Sequence, residues 1–379
     1  MRPRPERIER LPAQYFTSLL ARLAAAATLD GERLVDLGRG NPDVPPPAHV
    51  VEALVESARV PTSAVHGYAP FAGLPELKEA IAGRYADVYG VDLDPATEVA
   101  IVPGTKTALV ELALCLAERG STILLPDPGY PDYVSAVALA GARLERLRLD
   151  ERGAPEWDAA ARDEVAAVYL NYPSNPCAVA APAGVFADAV AFAHDTGAAV
   201  VHDFAYGDLV YDGRRPASFL AEPGARDIGI ELFSMSKSYG MAGWRIGFVV
   251  GNAEVVERIA WLQEHVRAGI FVPLQRAAIA ALSGPQDTVE ERRSLYETRR
   301  NRVTAAVAPL EPRCEGTFFV WFRLPNGWTC ERVLDEVRVA LAPGEGFGSR
   351  GAGFARISLA TPDDALDLGL ERLGEAFSA

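Results

Sequence analysis

The chain has 379 residues, of which 49% are hydrophobic and 23% charged, a composition typical of a globular protein with two or three domains. Its formal net charge of -14 at pH 7 disfavours broad contact with nucleic acid, because proteins that bind phosphate backbones usually present a basic face. The N-terminal residues show no apolar signal segment, and the alanine-rich patch around Arg22 is shorter than the roughly 20 apolar residues of a membrane span. The sequence therefore predicts a cytoplasmic protein without nucleic-acid or membrane partners.

Short apolar runs alternate with helical segments between about residues 99 and 252. The runs start near Val99, Thr122, Val165, Ala198 and Gly229, and each ends in polar, glycine or proline residues. Continuous apolar runs of this kind indicate parallel strands that helices cover on both faces. The sequence predicts an α/β layered domain here.

A polar cluster follows each of the five apolar runs. The clusters are residues 104–106, 127–130, 171–175, 203–206 and 234–237. In a parallel sheet, ligands bind beyond the carboxyl ends of the strands. We therefore expect the five clusters to meet at one rim and to form a binding site.

The C-terminal part of the chain changes character from about Pro273. A charged helical stretch runs from Glu290 to Arg302, and a strand pattern follows at residues 316–324. A second strand pattern begins at Phe354, after a glycine-rich loop. These elements predict a smaller α+β unit.

The four cysteines are dispersed along the chain, without a C-x-x-C pair and without histidines at metal-ligand spacing. They are Cys115, Cys177, Cys314 and Cys330. The sequence predicts small buried thiols and no metal site.

The chain is rich in arginine, and its only lysines are Lys78, Lys106 and Lys237. Lys237 ends an apolar run and lies between two serines, with glycines and Arg245 close behind. Arginine stays protonated and does not form imines, whereas a desolvated lysine can do so. The position of Lys237 therefore indicates amine chemistry.

The order of these motifs resembles that of fold-type I, pyridoxal 5'-phosphate (PLP) dependent aminotransferases of class I/II, the aspartate aminotransferase superfamily. The family motif S-x-S-K lies at residues 234–237, and G-x-R-x-G follows at 243–247. Further likeness lies at residues 37–43 and from Phe347 to Arg356, so the resemblance covers essentially the whole chain. It is most similar to the branch with methionine-salvage and L,L-diaminopimelate aminotransferases.

The resemblance implies the fold-type I architecture. The large PLP-binding domain would span residues 46–273 and hold a mostly parallel, seven-stranded sheet between helices. Residues 1–45 and 274–379 would form a smaller α+β domain with an N-terminal arm.

The resemblance also implies the residues that hold the PLP ring. Lys237 would hold PLP as a Schiff base and move a proton between the substrate α-carbon and the cofactor. Asp203 would pair with the pyridine nitrogen, although an aspartate at a strand end could instead cap the next helix. Tyr206 and Asn175 would bond the phenolic oxygen, and Tyr130 would stack on the ring. The implied catalytic residues are Lys237, Asp203 and Tyr206.

The phosphate of PLP would lie at a helix N-terminus that begins with Thr105 and Lys106, although Lys106 could instead face solvent. Ser234, Ser236 and Arg245 would complete this phosphate site. Tyr68 matches a tyrosine that reaches the phosphate of a neighbouring subunit. That match implies a homodimer with shared active sites.

The implied substrate residues start with Arg356, which would bind the α-carboxylate with help from the Gly40 backbone and the Asn175 amide. Arg39 lies at a position that lines the side-chain pocket in relatives, where it could favour an acidic or polar side chain or simply point to solvent. Phe16 lies on an N-terminal helix that often closes over that pocket.

One turn departs from the family pattern. Cys177 and Ala178 follow Asn175-Pro176, where the family often has threonine and glycine. Because glycine adopts positive φ angles freely, its loss predicts a slightly different turn.

The sequence thus predicts a ping-pong aminotransferase that moves the amino group of an L-amino acid to a 2-oxo acid. A C-S β-lyase or a decarboxylase of the same fold is the alternative, because the orientation of the bound substrate decides which bond breaks. A PLP-binding regulator is disfavoured because it would normally carry a DNA-binding domain. A nicotinamide-dependent dehydrogenase is disfavoured because no G-x-G-x-x-G motif follows the first strand.

Overall fold

The computed structural model of the chain describes residues 4–28 and 33–378. These residues form the strands β1 (Val35–Asp36), β2 (Val99–Val102), β3 (Thr122–Asp127), β4 (Arg143–Arg148), β5 (Val165–Asn171), β6 (Ala199–Asp203), β7 (Gly229–Ser234), β8 (Gly247–Gly251), β9 (Phe319–Arg323), β10 (Val339–Ala340), β11 (Ala342–Pro343) and β12 (Phe354–Ser358). The longer α-helices are Tyr15–Ala27, Ala48–Ala58, Pro75–Arg84, Thr105–Leu116, Asp132–Ala140, Val185–Thr196, Ala253–Val266, Val272–Ser283, Asp287–Ala306 and Asp363–Ser378. The shorter α-helices are Glu6–Glu9, Ser63–His66, Ala225–Ile228, Met235–Ser238 and Cys330–Arg332.

A seven-stranded sheet forms the centre of the molecule, with the strand order β2-β8-β7-β6-β5-β3-β4. β8 runs antiparallel to both of its neighbours, and the remaining pairs are parallel. The five predicted strands are confirmed as β2, β3, β5, β6 and β7. The expected mostly parallel, seven-stranded sheet is therefore correct.

Burial on both faces explains why these strands read as continuous apolar runs. In β2, Val99 and Ile101 pack into one core cluster, while Ala100 and Val102 pack into another. Successive side chains of a strand point to opposite faces, so a sheet covered on both sides needs apolar residues at every position.

Two strands of the central sheet lie outside the five predicted runs. β4 has the sequence Arg-Leu-Glu-Arg-Leu-Arg and pairs with β3 at the edge of the sheet, with Thr122 opposite Arg143. Its mostly exposed charges are typical of edge strands, which are protected in this way from pairing with other chains. β8 is the short antiparallel strand that follows the Lys237 region.

A second, antiparallel sheet has the order β11-β12-β9, and β1 pairs with β10. β9 and β12 confirm the two strands predicted in the C-terminal part, and the helix Asp287–Ala306 includes the charged stretch predicted at residues 290–302. The domain boundaries near residues 46 and 273 stay a prediction.

The described residues were predicted to contain neither a membrane-spanning helix nor a metal site. Within the described residues, no helix has the length and apolar character needed to cross a bilayer. In the same part of the chain, no group of three or more metal-ligating side chains comes together. The four cysteines are free, and Cys177, Cys314 and Cys330 are buried.

Candidate active site

A cavity of about 270 Å³ lies beyond the carboxyl ends of the central strands, at the rim that the polar clusters predict. Eleven of the predicted site residues line it: Phe16, Arg39, Gly40, Thr105, Lys106, Tyr130, Asn175, Asp203, Tyr206, Lys237 and Arg356. Four others, Tyr68, Ser234, Ser236 and Arg245, lie outside its lining. The fold thus brings most of the predicted residues to one place.

Lys237 reaches this cavity because β7 ends at Ser234 and a short helix, Met235–Ser238, begins at once. Its Nζ atom lies 5.6 Å from the centre of the Tyr206 ring and 5.1 Å from that of Phe318. Burial, together with the positive charges of Arg356 and Arg245, lowers the pKa of Lys237 to about 8, although Asp203 opposes this shift. A larger fraction of this amine is therefore neutral near neutral pH than in an ordinary lysine.

Asp203 ends β6 and is 6% exposed. The Tyr133 hydroxyl donates a hydrogen bond to Oδ2 at 2.7 Å, and the Ala205 amide donates to Oδ1 at 3.2 Å. The pKa of Asp203 is raised, because the effect of burial exceeds that of the two hydrogen-bond donors and of the nearby Lys237, which lower it. A buried carboxylate in this setting is suited to pair with a cation.

Arg356 lies on β12 and is fully buried. Its Nη1 donates to Asn175 Oδ1 at 2.6 Å and its Nη2 to the Gly38 carbonyl at 3.2 Å, while the Phe319 ring lies 3.8 Å from its Cζ. Nε has no hydrogen-bond partner among the described residues. Burial lowers the pKa of Arg356 to about 10. A buried guanidinium with spare donor capacity is suited to bind an anionic ligand.

The helix Thr105–Leu116 begins beside Arg245, whereas the two serines of the predicted phosphate site do not line the cavity. Gly104 precedes this helix with a φ of 84°, and a Cβ atom there would lie 2.3 Å from Arg245 Nη2. Glycine is therefore required for the close approach. Ser234 and Ser236 are buried, and Ser234 Oγ accepts a hydrogen bond from the Ser236 amide at 3.3 Å. A helix N-terminus next to a guanidinium favours an anion.

Lys106 forms an ion pair with Asp132, at 3.0 Å between Nζ and Oδ2. Its side chain is half exposed and lines the cavity, so it neither points away from the site nor stays unpaired. Arg39 is exposed and also lines the cavity. Tyr68 is 94% exposed and makes no part of the cavity of its own chain.

Several site residues were outside the sequence prediction. Leu19, Leu20, Asn41, Asn171 and Phe319 line the cavity. Asn171, the last residue of β5, belonged to the predicted polar cluster 171–175, although no role was assigned to it. The sequence gives no signal for Leu19 and Phe319, because a buried leucine or phenylalanine looks the same in sequence whether it faces the core or a cavity.

Ala178 adopts a left-handed backbone conformation, with a φ of 57°, in the turn after Asn175. Its amide donates to the Ser174 carbonyl at 2.9 Å, and its carbonyl accepts from the Glu315 amide at 2.7 Å. The alanine thus takes up a conformation that favours glycine, at a cost of about 1 kcal/mol in strain.

These residues fit PLP. The cavity combines a buried amine of lowered pKa, a buried carboxylate and an aromatic ring at Tyr130. An anion-binding helix N-terminus lies beside it, with the Arg245 guanidinium against Gly104. PLP presents an aldehyde, a ring nitrogen, an aromatic face and a phosphate, which these four features complement.

Comparison with known proteins shows the family of the chain. A family model described as aminotransferase class I and II matches residues 32–373. The chain is 43% identical to the L-glutamine--4-(methylsulfanyl)-2-oxobutanoate aminotransferase of Bacillus subtilis (strain 168), over 97% of this chain and 95% of that protein. It is 38% identical to the LL-diaminopimelate aminotransferase of Desulforudis audaxviator (strain MP104C), over 97% of this chain and 96% of that protein.

The solved structures give the same result. Substrate-bound BacF from Bacillus subtilis superposes with a TM-score of 0.93 at 37% identity, covering 99% of this chain and 98% of that one. The relatives are aminotransferases, so the lyase and decarboxylase alternatives are not favoured. The chain therefore belongs to the class I and II aminotransferases, and it is a PLP-dependent transaminase that acts on amino acids and 2-oxo acids.

Proposed function

We propose that the cavity around Lys237 is the active site and that it catalyses a ping-pong transamination between an L-amino acid and a 2-oxo acid. The observation that carries this proposal is the position of Lys237, a buried amine of lowered pKa in a cavity shared with Asp203 and Arg356. When bound, PLP supplies an electron sink that makes the α-proton of the amino acid acidic.

The residues of the chain then hold PLP and the substrate. The N-terminus of the helix Thr105–Leu116 and Arg245 would bind the phosphate, with Ser234 and Ser236 behind them. Asp203 would accept a hydrogen bond from the pyridine nitrogen and stabilise its positive charge. Tyr130 would cover the ring, and Tyr206 and Asn175 would bond the phenolic oxygen.

Lys237 would hold PLP through its amine and would then serve as the base that accepts the α-proton of the substrate and later returns it. This role needs a neutral amine, which the lowered pKa of Lys237 supplies. Arg356 and the Asn175 amide would hold the α-carboxylate, with the Gly40 backbone beside them. A planar guanidinium binds a carboxylate through two parallel hydrogen bonds.

For the substrate, we propose a neutral donor of the glutamine kind and an acceptor of the 4-(methylsulfanyl)-2-oxobutanoate kind. The support is the 43% identity to an enzyme of that name and the apolar wall that Phe16, Leu19 and Leu20 form in the cavity. Arg39, which also lines the cavity, supports a second candidate, an acidic donor.

We further propose a homodimer in which Tyr68 reaches the phosphate site of the partner subunit. The support is the 94% exposure of this tyrosine together with its match to the family pattern. A cytoplasmic location stays a prediction from the sequence.

The test is a panel of half-reactions. Single amino acids are added to PLP-loaded protein without any 2-oxo acid, and the cofactor absorbance is followed while ammonia is assayed. With glutamine and methionine, we expect the cofactor absorbance to change as the amino group is transferred to PLP, without release of ammonia. We expect little change with aspartate. Release of ammonia and an oxo acid without an acceptor would instead show a lyase.

The variant Arg39→Gln separates the two substrate candidates. If the donor is neutral, the substitution leaves the ranking of donors unchanged. A strong response of the parent to aspartate or glutamate that Arg39→Gln selectively removes would contradict the neutral donor.

A further inference from the structure

The helix Asp287–Ala306 turns a polar face toward the interior of the molecule. Its buried residues are Arg292, Tyr296, Arg299 and Val303, and their spacing of four, three and four places them on one face. Three of the four are polar, and buried polar groups are normally hydrogen-bonded. Their partners therefore show what the helix holds in place.

Two of these side chains bind Asp43. The Tyr296 hydroxyl donates to Oδ1 at 2.9 Å, and Arg299 Nη1 donates to Oδ2 at 2.6 Å. Asp43 lies three residues after Gly40, which lines the cavity. The helix thus anchors the segment that forms the substrate side of the site.

The third polar side chain, Arg292, is 2% exposed and reaches the turn that carries Lys237. Its Nη1 donates to the carbonyl of Ser238 at 2.6 Å and to that of Lys237 at 3.3 Å. These carbonyls end the short helix Met235–Ser238. Carbonyls at a helix C-terminus lack partners within the helix, and a cation there is stabilising.

The other nitrogen of the same guanidinium binds the opposite side of the site. Arg292 Nη2 donates to the carbonyl of Pro45 at 2.9 Å, with that of Val44 at 3.5 Å. One side chain therefore joins the Lys237 turn to the segment that continues from Asp43.

Gly240 lets the backbone come this close to the guanidinium. It has a φ of 69°, and a Cβ atom there would lie 2.9 Å from Arg292 Nη2 and 2.5 Å from the Val44 carbonyl oxygen. A side chain at position 240 would push Arg292 and the Val44 segment apart.

We propose that Arg292 is a positioning residue for the reaction: it fixes the backbone of Lys237, and thereby the direction of the Lys237 amine, against the substrate side of the cavity. Arg292 does not itself line the cavity, so it acts through Lys237. A planar guanidinium serves the two sets of carbonyls from two separate nitrogens, whereas a lysine has a single donor nitrogen. This inference rests on the proposed function, in which the Lys237 amine reacts.

The test compares Arg292→Met and Arg292→Lys with the same substitutions at Arg293. Arg293 is the next residue of the helix, and its guanidinium binds Glu290 and Glu297. For each variant, kcat and KM for one amino donor, the Tm, and the pH midpoint of the visible absorbance of PLP-loaded protein are measured.

We expect Arg292→Met to lower kcat about 10- to 100-fold while KM stays within about 3-fold, because the amine is misplaced but the substrate sites remain. We expect the absorbance midpoint to move by more than ~0.5 pH unit, because the surroundings of the amine change. Arg292→Lys should show a smaller loss, and both Arg293 variants should match the parent.

Equal effects at positions 292 and 293 would overturn the proposal, as would a lower Tm of Arg292→Met with unchanged kcat and midpoint. If Arg292→Met does not fold, the comparison of Arg292→Lys with Arg293→Lys tests the proposal by the same measurements of kcat, KM, Tm and absorbance midpoint. Failure of the proposed function is visible separately, because the parent protein would then not capture PLP or transfer an amino group.

Discussion

Arg356 shows at the scale of one residue how the site is built for an anion. It is fully buried, its pKa is lowered by burial, and its two terminal nitrogens donate to Asn175 Oδ1 and to the Gly38 carbonyl. A buried charge without a paired carboxylate is destabilising by itself. A substrate carboxylate would relieve that cost, which places much of the binding energy at this residue.

We therefore expect Arg356→Lys to lower kcat/KM about 10- to 100-fold, the equivalent of one or two charge-assisted hydrogen bonds. Arg323→Lys is the matched control, because Arg323 is exposed at the end of the neighbouring strand β9, opposite Phe354. Steady-state kinetics with one donor measure both variants. A loss at Arg356→Lys no greater than at Arg323→Lys would show that the carboxylate binds elsewhere.

Sequence reasoning located the residues whose type is unusual for their surroundings. Lys237 and Asp203 follow apolar strands, so a charge at those points indicated a site. Tyr133, which donates to Asp203, was not predicted because a tyrosine on a buried helix face fits a core equally well. The lowered pKa of Lys237 depends first on burial and then on the charges of Arg356 and Arg245, and only the fold buries the amine and brings Arg356 near it.

At the scale of elements, the helix Tyr15–Ala27 forms one wall of the cavity and is held at its first turn by Gln14. The Gln14 Oε1 atom accepts hydrogen bonds from the amides of Phe16 and Thr17, so the side chain caps the helix. Its Nε2 donates to Asp132 at 2.7 Å, and Asp132 pairs with Lys106. One side chain thus connects this wall to the helix of the phosphate site.

We expect Gln14→Ser to raise KM for the donor and to speed tryptic cleavage after Arg22, each by about 5-fold, the equivalent of about 1 kcal/mol. Serine keeps an N-cap oxygen but is too short to reach Asp132, whereas Gln14→Leu loses both contacts. Kinetics and timed digestion of PLP-loaded protein measure these effects. If Gln14→Ser behaves like the parent while Gln14→Leu does not, the capping bonds matter and the Asp132 contact does not.

Elements differed in how well their sequence revealed them. Five strands buried on both faces were predicted with nearly correct ends, whereas the equally buried strand β8 lay outside the predicted runs. The edge strand β4 was missed because its charges resemble those of an exposed helix or loop. The helix Asp287–Ala306 was predicted, but its inward face was not. Arg292 binds carbonyl groups of distant segments, so nothing local in the sequence marks it as buried.

At the scale of the whole molecule, the exposed surface includes an aromatic region around Tyr68. The rings of His66 and Phe271 lie 6.0 Å apart, and Gly269 packs against the backbone of Ala69 and Pro70. Tyr68 is 94% exposed and Phe271 44% exposed. Large exposed aromatic side chains that cluster in this way mark interaction surfaces.

A shared active site predicts complementation between subunits. Lys237→Ala and Tyr68→Ala should each have low activity alone, while co-expressed subunits should recover about a quarter of the parent activity, because half of the dimers are mixed and each mixed dimer has one intact site. Specific activity of the purified mixture measures this recovery. No recovery would place Tyr68 in the site of its own chain, and full activity of Tyr68→Ala alone would place it outside any site.

The architecture could be predicted from sequence because a doubly covered parallel sheet leaves a strong apolar pattern, and because the motifs occur in the family order. Assembly could not be predicted from physical pattern alone. An exposed tyrosine is ordinary in sequence, and in the proposed dimer its partner would lie on another chain.

The most direct test of the central claim, that Lys237 is the perturbed amine that holds PLP, is the pH dependence of PLP capture by the apo protein. The product is trapped by borohydride reduction and located by peptide mass spectrometry in the parent, in Lys237→Ala and in the control Lys78→Ala. Capture needs the neutral amine, whose fraction grows as pH rises through the pKa, so the account predicts a rate that increases through about pH 8 in the parent and in Lys78→Ala. The label should lie on Lys237 and be absent from Lys237→Ala. Equal capture by Lys237→Ala, or a midpoint near the ordinary lysine value of about 10.4, would contradict the account.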